Sequence, residues 1–317
     1  MNLRPQNLVR FVPVGFHALL GHAVAGLRAA GVAALLWPVL GSASGAAGVE
    51  AAATITAAKA STLAAASAPR TAFAGPWQVR EVLIDERRAD RLLYQVDDPR
   101  LVGRTLAIGG QQINADLPEA VACPQPGLVP AHMALDTLLA RSMPELPAQG
   151  AARVFDAALP GERPVDLAWI TCKGASFGPE LKNAPRAAAG SATTGSTWLA
   201  LLPKGEALMP WYGHTLLVLQ RHPADAAIQP SFACAKARLP AEKAICASPA
   251  LAAYDTSLAQ GWAYTVRFCD GDADCIAEAR QAQKQWVAQR NRCGNDPACL
   301  RKTMRERLDA LMTPTDD

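Results

Sequence analysis

The sequence is poor in aromatic residues, which make up 6% of the chain, and in histidine, of which it has five among 317 residues. Its charge also lacks a strong bias. After the first 49 residues, basic and acidic side chains number 28 each. A balanced surface offers no electrostatic attraction to nucleic acid or to an anionic membrane, so we predict that neither is a partner.

Signatures of catalysis are scarce as well. Beyond the N-terminal segment only His132, His214 and His222 remain, and the chain contains no H-E-x-x-H zinc motif and no glycine-rich phosphate loop. Histidine is the commonest general base and a frequent metal ligand, so this shortage argues against both roles. We predict a protein that is not an enzyme and that uses no cofactor or metal ion.

The N-terminal segment has the layout of an export signal. Residues 11–49 contain one charged residue, Arg28, which is followed by an apolar stretch and then by small residues. The apolar runs are shorter than the ~20 residues of a membrane-spanning helix, and prolines interrupt them. We predict a signal peptide over residues 1–48. No cysteine precedes Cys123 to carry a lipid, so we expect a soluble periplasmic product without a stable membrane anchor.

Residues 49–72 are rich in alanine, serine and threonine and have almost nothing to bury, which predicts a linker. Over residues 73–229 the apolar residues recur with period two, which indicates β-strands. Strands are predicted in WQVREVLI, RLLYQV and PVDLAWITC, and Gly109–Gly110 marks a hairpin. Three more strands are expected around turns at Pro203–Glu206 and Tyr212–His214.

These strands predict an antiparallel sheet curled into a small barrel or a sandwich, with a short helix in AHMALDTLLARSM across an open end. Six large side chains are expected to line the interior of a barrel: Trp77, Leu92, Leu106, Trp169, Trp198 and Trp211. Such an interior holds a small apolar ligand if side chains leave it empty, but in small barrels side chains often fill it.

After Pro230 the apolar period lengthens to that of helices, with Ser248 as an N-cap before Pro249. The predicted fold class is therefore α+β: a β-rich domain over 73–229 followed by a small disulfide-stapled helical domain over 230–317. Two C-x5-C segments, CDGDADC and CGNDPAC, resemble turns that end one helix and begin the next.

All eight cysteines lie after the predicted signal peptide, and three interpretations compete for them. Zinc sites use pairs two to four residues apart, often with histidine, and no histidine follows Pro230. A catalytic thiol needs a nearby base, which is also missing. Disulfides fit best, although eight cysteines permit 105 pairings. Local spacing favours Cys234–Cys246, Cys269–Cys275 and Cys293–Cys299, and the division into domains leaves Cys123–Cys172 as the pair of the β-rich domain.

The helical region also resembles a known family, the LprI-type lysozyme-inhibitor domain, over about 80 residues. The matching positions are Phe232, Cys234, Ala237, Glu242, Lys243, Ile245, Cys246, Leu251, Asp255, Leu258, Gln283, Trp286, Arg290, Cys293, Cys299, Leu300, Arg307 and Leu311. Cys269 and Cys275 are an addition to the family pattern, and the lipid-carrying cysteine of its namesake is absent. The β-rich region is only faintly similar to lipocalin-like or small-barrel modules.

The resemblance implies an exported protein that binds lysozyme in the cell envelope and so protects peptidoglycan. Four aspartates of the C-x5-C turns are candidates for contact with a cationic enzyme: Asp270, Asp272, Asp274 and Asp296. They equally suit helix capping. Glu242, Lys243, Asp255 and Arg290 suit either partner contact or salt bridges between helices, and Trp286 suits the core. Residues 230–317 carry 12 basic and 11 acidic side chains, which speaks against a cationic partner.

Overall fold

The structure is a computed structural model that describes residues 70–156, 158–179, 181, 193–222 and 228–313. The predicted signal peptide and almost all of the predicted linker lie outside these ranges. The described residues belong to one compact unit, which spans Ser61–Asp317. It contains a nine-stranded antiparallel sheet followed by helices with three disulfides, so the predicted α+β class is confirmed.

The sheet has the strand order β4-β3-β2-β1-β9-β8-β7-β6-β5, in which every neighbouring pair is antiparallel. Its strands are β1 Gly75–Ile84, β2 Thr105–Ile108, β3 Gln112–Ala115, β4 Cys123–Pro124, β5 Gly127–Ala134, β6 Pro164–Lys173, β7 Thr193–Leu201, β8 Ala207–Trp211 and β9 Thr215–Arg221. The chain thus follows a meander in which β9 returns to pair with β1.

A disulfide between β4 and β6 brings the two ends of the sheet together. Cys123 and Cys172 are both fully buried, and their Cα atoms are 5.1 Å apart. One apolar cluster contains both cysteines and side chains from strands at both ends, such as Ile113 and Ile170, so it fills the concave face of a curled sheet. The bond closes a loop of 49 residues, which stabilises the curl.

The convex face of the sheet is also apolar, and helix α1, Leu135–Ser142, covers it. Leu135, Leu138 and Leu139 are fully buried against Trp198 and other side chains of this face. The helix was expected across an open end of a barrel, but it packs on the outside of the sheet. Strands that are buried on both faces have uninterrupted runs of buried residues. All of β8 and the first five residues of β9 are buried in this way.

One strand prediction was wrong, and a confirmed strand has an irregular register. RLLYQV is not a strand, because residues 86–91 form a 3-10 helix and Asp98 accepts backbone bonds from Gln95 and Arg100 in a turn. In β1 the register shifts by one residue between Val79 and Glu81. As a result, Val82 shares the concave face with Val79, and Leu83 lies in the cluster on the convex face.

The helical part contains α2 Pro240–Cys246, α3 Pro249–Phe268, α4 Ala273–Asn291 and α5 Pro297–Met312. The predicted N-cap at Ser248 is present, since its side chain accepts a bond from the backbone of Leu251. A third apolar cluster joins α2, α3 and α5, and α4 contributes to it the buried Trp286 and the partly buried Val287 of its C-terminal half. Within the described part of the chain, no helix is long and apolar enough to cross a membrane.

Candidate functional site

The turn between α3 and α4 is held by the Cys269–Cys275 disulfide. Asp272 caps α4 by accepting bonds from the backbone of Asp274 at 2.9 Å and of Cys275 at 3.0 Å. Asp270 has a φ of +44°, a left-handed conformation that side chains rarely adopt, and Gly271 follows with +83°. Three of the four aspartates predicted to bind a partner therefore share one covalently closed turn.

The turn between α4 and α5 repeats this construction. Cys293 and Cys299 form a disulfide, and Asp296 caps α5 by accepting a bond from the backbone of Ala298 at 2.9 Å. Gly294 supplies the left-handed residue, with a φ of +60°. Asp272 and Asp296, one in each turn, therefore cap helices, which is the alternative to partner contact that the sequence allowed.

The two turns lie at opposite ends of α4. This helix has 19 residues and is about 28 Å long at the usual rise of 1.5 Å per residue. Asp296 is consequently remote from Asp270, Asp272 and Asp274. The four aspartates form two separate surfaces rather than one.

The ends of α4 also differ in charge. Between Arg267 and Glu278 the chain carries one basic and four acidic residues, whereas between Arg290 and Lys302 it carries four basic residues and one acidic residue, Asp296. Most of these side chains are exposed. The near-zero charge of the region as a whole therefore conceals an acidic end at the α3–α4 turn and a basic end at the α4–α5 turn.

A groove of about 360 Å³ lies beside the acidic turn, between α3, α4 and α5. Its lining includes Phe268, Ala279, Ala282 and Leu311. Phe268 is 73% exposed and is the most exposed large apolar side chain that the structure describes. A concave apolar surface next to a covalently closed, charged turn has the geometry of a binding site.

The residues of the family resemblance mostly hold the helices together. Asp255 is buried, accepts a bond from the backbone of Ser231 at 2.7 Å and lies 3.8 Å from the Arg290 guanidinium. Burial lowers the pKa of Arg290 despite this carboxylate. Trp286 donates from its indole nitrogen to the backbone oxygen of Thr303. The Asp255–Arg290 pair connects α3 with α4, as expected if these charged residues form salt bridges between helices. The Trp286 bond connects α4 with α5.

Two further residues of the resemblance have similar roles, and one lies on the surface. The Glu242 carboxylate accepts bonds from the backbone nitrogens of Arg238 and Leu239, and these bonds lower its pKa. The Gln283 side chain accepts two bonds from Arg307, at 3.1 and 3.0 Å. Lys243 is exposed. Glu242 and Gln283 therefore fix the start of α2 and the packing of α4 on α5.

Sequence patterns gave no sign of the contact between the sheet and α3. Arg104 is buried there and donates to the Ser257 hydroxyl at 2.9 Å, while Arg305 and the Tyr254 hydroxyl both bond Asp116 at 3.0 and 3.1 Å. Arg104 and Ser257 are 153 positions apart, so no local pattern links them. The one available signal is an arginine immediately before a short apolar strand.

The concave face of the sheet is occupied by side chains. Trp77, Leu106 and Trp211 lie in its apolar cluster as predicted, with Leu92 packed at the edge. Trp169 and Trp198 were expected there too, but they lie in the cluster on the convex face. Trp211 packs edge-on against Phe177 and Tyr212.

The titratable groups are dispersed. All eight cysteines form disulfides, in the four predicted pairs. Among the described residues, no three His, Cys, Asp or Glu side chains are placed to hold a metal ion. His132 bonds Asp166 on the edge of the sheet, and His214 lies 3.8 Å from Glu145 in the β8–β9 turn.

One serine pattern needs its own account. Residues 174–178 read GASFG, which matches the G-x-S-x-G sequence of hydrolase nucleophiles around Ser176. In those enzymes the serine lies on a sharp turn from a strand into a helix. Here residues 174–178 follow β6 of an antiparallel sheet and belong to no helix or strand. Within the described residues, the match is therefore one of sequence and not of the strand–turn–helix geometry.

Comparisons of the chain with protein-family models, with curated proteins and with solved structures found no match. The similarity to LprI-type domains accordingly remains a prediction from the quoted residues. What the structure itself supplies is a helical module whose acidic turn and apolar groove lie side by side.

Proposed function

We propose that this protein is a non-catalytic binding protein of the periplasm that inhibits a lysozyme and so protects peptidoglycan. The observation that carries the proposal is the covalently closed acidic turn at Cys269–Cys275 beside an apolar groove. A rigid turn loses little conformational entropy when it binds, so its contacts contribute more fully to affinity. The four disulfides suit an oxidising compartment such as the periplasm.

The distribution of charge supports a cationic target in spite of the balanced total. Asp270, Asp274 and Glu278 are exposed at one end of α4, while Arg292 and Arg301 lie at the other. A cationic enzyme that approaches the α3–α4 turn meets acidic side chains and is kept about 28 Å from the basic end. Complementary charge raises the rate of association and orients the partner.

The proposal is tested by the inhibition of c-type and g-type lysozymes with the full-length protein, assayed by the clearing of a cell-wall suspension. We expect inhibition at micromolar or lower concentration. Replacement of Asp270 and Asp274 by asparagine should weaken inhibition about tenfold or more, because two exposed charges of the contact are lost. If neither the c-type nor the g-type lysozyme is inhibited at these concentrations, the proposal is rejected.

A matched control keeps the change of net charge equal. Glu306→Lys raises the net charge by two, as the double asparagine variant does, and Glu306 is 59% exposed on α5, where it pairs with Lys302. This variant should inhibit as well as the native protein. Equal weakening by both variants would mean that only the overall charge matters, and the assignment to the α3–α4 turn would then be wrong.

The alternative function is a periplasmic protein whose barrel holds a small ligand beside a helical interaction module. It has less support, because Trp77, Leu106 and Trp211 belong to a buried apolar cluster on the concave face where such a ligand would lie. Native mass spectrometry of the full-length protein separates the two functions. A mass equal to that of the chain is expected, and a retained small molecule would favour the alternative.

A further inference from the structure

The N-terminal half of α4 is poorly covered by the rest of the protein. The buried residues of this 19-residue helix are Trp286 and Arg290, both in its C-terminal half, and no side chain over residues 273–285 is buried. A helix of a folded domain normally buries an apolar stripe along its whole length. Ile276, Ala279 and Ala282 form part of such a stripe, yet they remain partly or fully exposed.

A covalent bond holds this half of α4 where packing does not. The Cys269–Cys275 disulfide connects the end of α3 to the first turn of α4, and the Cα atoms are 5.6 Å apart. With its start fixed in this way, the first half of α4 lies beside α3 and α5 without burying a side chain between them. The space that is left is the groove of about 360 Å³.

The walls of the groove are apolar and its rim is acidic. Tyr264, Phe268, Ala282, Ala310 and Leu311 contribute apolar surface, and Glu278 lies among them. Asp270 and Asp274 are exposed in the adjoining turn. Arg307 also reaches the groove, but its guanidinium is engaged by Gln283, and burial lowers its pKa.

On the basis of the binding role proposed above, we infer that this groove receives a basic segment of a partner protein, with apolar side chains flanked by lysine or arginine. The apolar side chains cover Phe268 and the uncovered stripe of α4, and the cations meet Asp270, Asp274 and Glu278. An amphipathic helix with apolar residues three and four positions apart fits a groove between helices. The partner thereby completes the packing that α4 lacks.

Two labelled peptides of about 20 residues, longer than the ~12–15 residues below which isolated helices are marginal in water, provide the probes. One consists of leucine and lysine in an amphipathic pattern, and the other has glutamate in place of lysine. Fluorescence anisotropy with the full-length protein should show binding of the lysine peptide but not of the glutamate peptide. Equal binding of both peptides would overturn the inference, because the acidic rim would then have no role.

Variants locate the binding. Phe268→Ala should weaken the lysine peptide about tenfold or more, as expected for an aromatic residue at the centre of an interface, and Glu278→Lys should weaken it as well. Phe268 is 73% exposed, so its removal should leave the fold intact. Leu239→Ala is the matched control, since Leu239 is 43% exposed at the start of α2 and lies outside the groove. Unchanged affinity of Phe268→Ala would reject the groove as the site.

The same variants distinguish this inference from the proposed function. If lysozyme is inhibited but Phe268→Ala inhibits normally, the inference about the groove fails and the function stands. If no lysozyme is inhibited but the lysine peptide binds in a way that depends on Phe268, the groove is confirmed and its partner is a different basic protein.

Discussion

The guanidinium carbon of Arg104 lies 3.5 Å from the centre of the Tyr254 ring, so a cation of the sheet stacks on an aromatic side chain of α3. Both residues are buried. Arg104 donates one hydrogen bond to Ser257, but its Nε and Nη1 atoms have no hydrogen-bond partner within the described residues. Desolvation lowers the pKa of this guanidinium. The sheet and the helices thus meet at a buried charge that is only partly satisfied.

Arg104 therefore allows two substitutions with different outcomes. Arg104→Ala should lower the free energy of unfolding by about 2 to 4 kcal/mol, because it opens a cavity between the sheet and α3. Arg104→Met should stay within about 1 kcal/mol of the native protein, because an apolar chain of similar length needs no hydrogen bonds. Urea unfolding measures both. Equal destabilisation by the two variants would show that the cation itself stabilises this contact.

The disulfides should differ in their contribution to stability. Cys123–Cys172 closes a loop of 49 residues, whereas Cys293–Cys299 spans six. From loop-closure entropy, removal of the first pair by double alanine substitution should cost about 4 kcal/mol and removal of the second about 2 kcal/mol. Denaturant unfolding of the two variants gives the comparison. A larger loss for the short bridge would contradict the entropic explanation.

Glu242 should make a pH-dependent contribution at the start of α2. Backbone bonds from Leu239 and Arg238 lower its pKa, so the folded state favours the ionised form. The stabilisation is present above the pKa of the unfolded chain, near 4.3, and is lost as the pH falls through the lower pKa of the folded state. Glu242→Gln should therefore be less stable than the native protein at pH 7 and equally stable in strong acid. A difference that does not vary with pH would exclude this cause.

The Cys269–Cys275 bond should control the order of the first half of α4. With both cysteines replaced by alanine, amide hydrogens over residues 276–285 should exchange faster, because no buried side chain holds this segment. Amides near Trp286 and Arg290 should keep their protection, since these side chains are buried. Hydrogen exchange monitored by mass spectrometry resolves the two halves. Loss of protection along the whole helix would mean that the bond stabilises the entire module.

Local patterns were sufficient for most elements of the fold. Three predicted turns each lie between adjacent strands of the sheet: Gly109–Gly110, Pro203–Glu206 and Tyr212–His214. They were predictable because glycine and proline favour turns, and because apolar residues with period two mark the strands on either side. RLLYQV shows the limit of that reasoning. The alternation is present, but a 3-10 helix before it and the Asp98 turn after it occupy the backbone groups that a strand would need.

Other features could not be obtained from local sequence. Both faces of the sheet are apolar, so the alternation of residues in β6 and β7 does not distinguish the concave face from the convex one. Trp169 and Trp198 lie on the convex face and Trp77 on the concave face. Ile276 and Trp286 lie on one apolar face of α4 by helical spacing, but of these two residues only Trp286 is buried. How far such a face is covered depends on distant parts of the chain, and this is also why the groove was not foreseen.

The central claim is that the α3–α4 end of the helical module binds a cationic partner. Amide chemical shifts of the isotope-labelled full-length protein, recorded during titration with an unlabelled c-type lysozyme, test it most directly. The account predicts that the perturbed residues concentrate over 264–282 and include Phe268 and Glu278. Perturbations confined to the sheet or to residues 293–299, or none at saturating lysozyme, would contradict it.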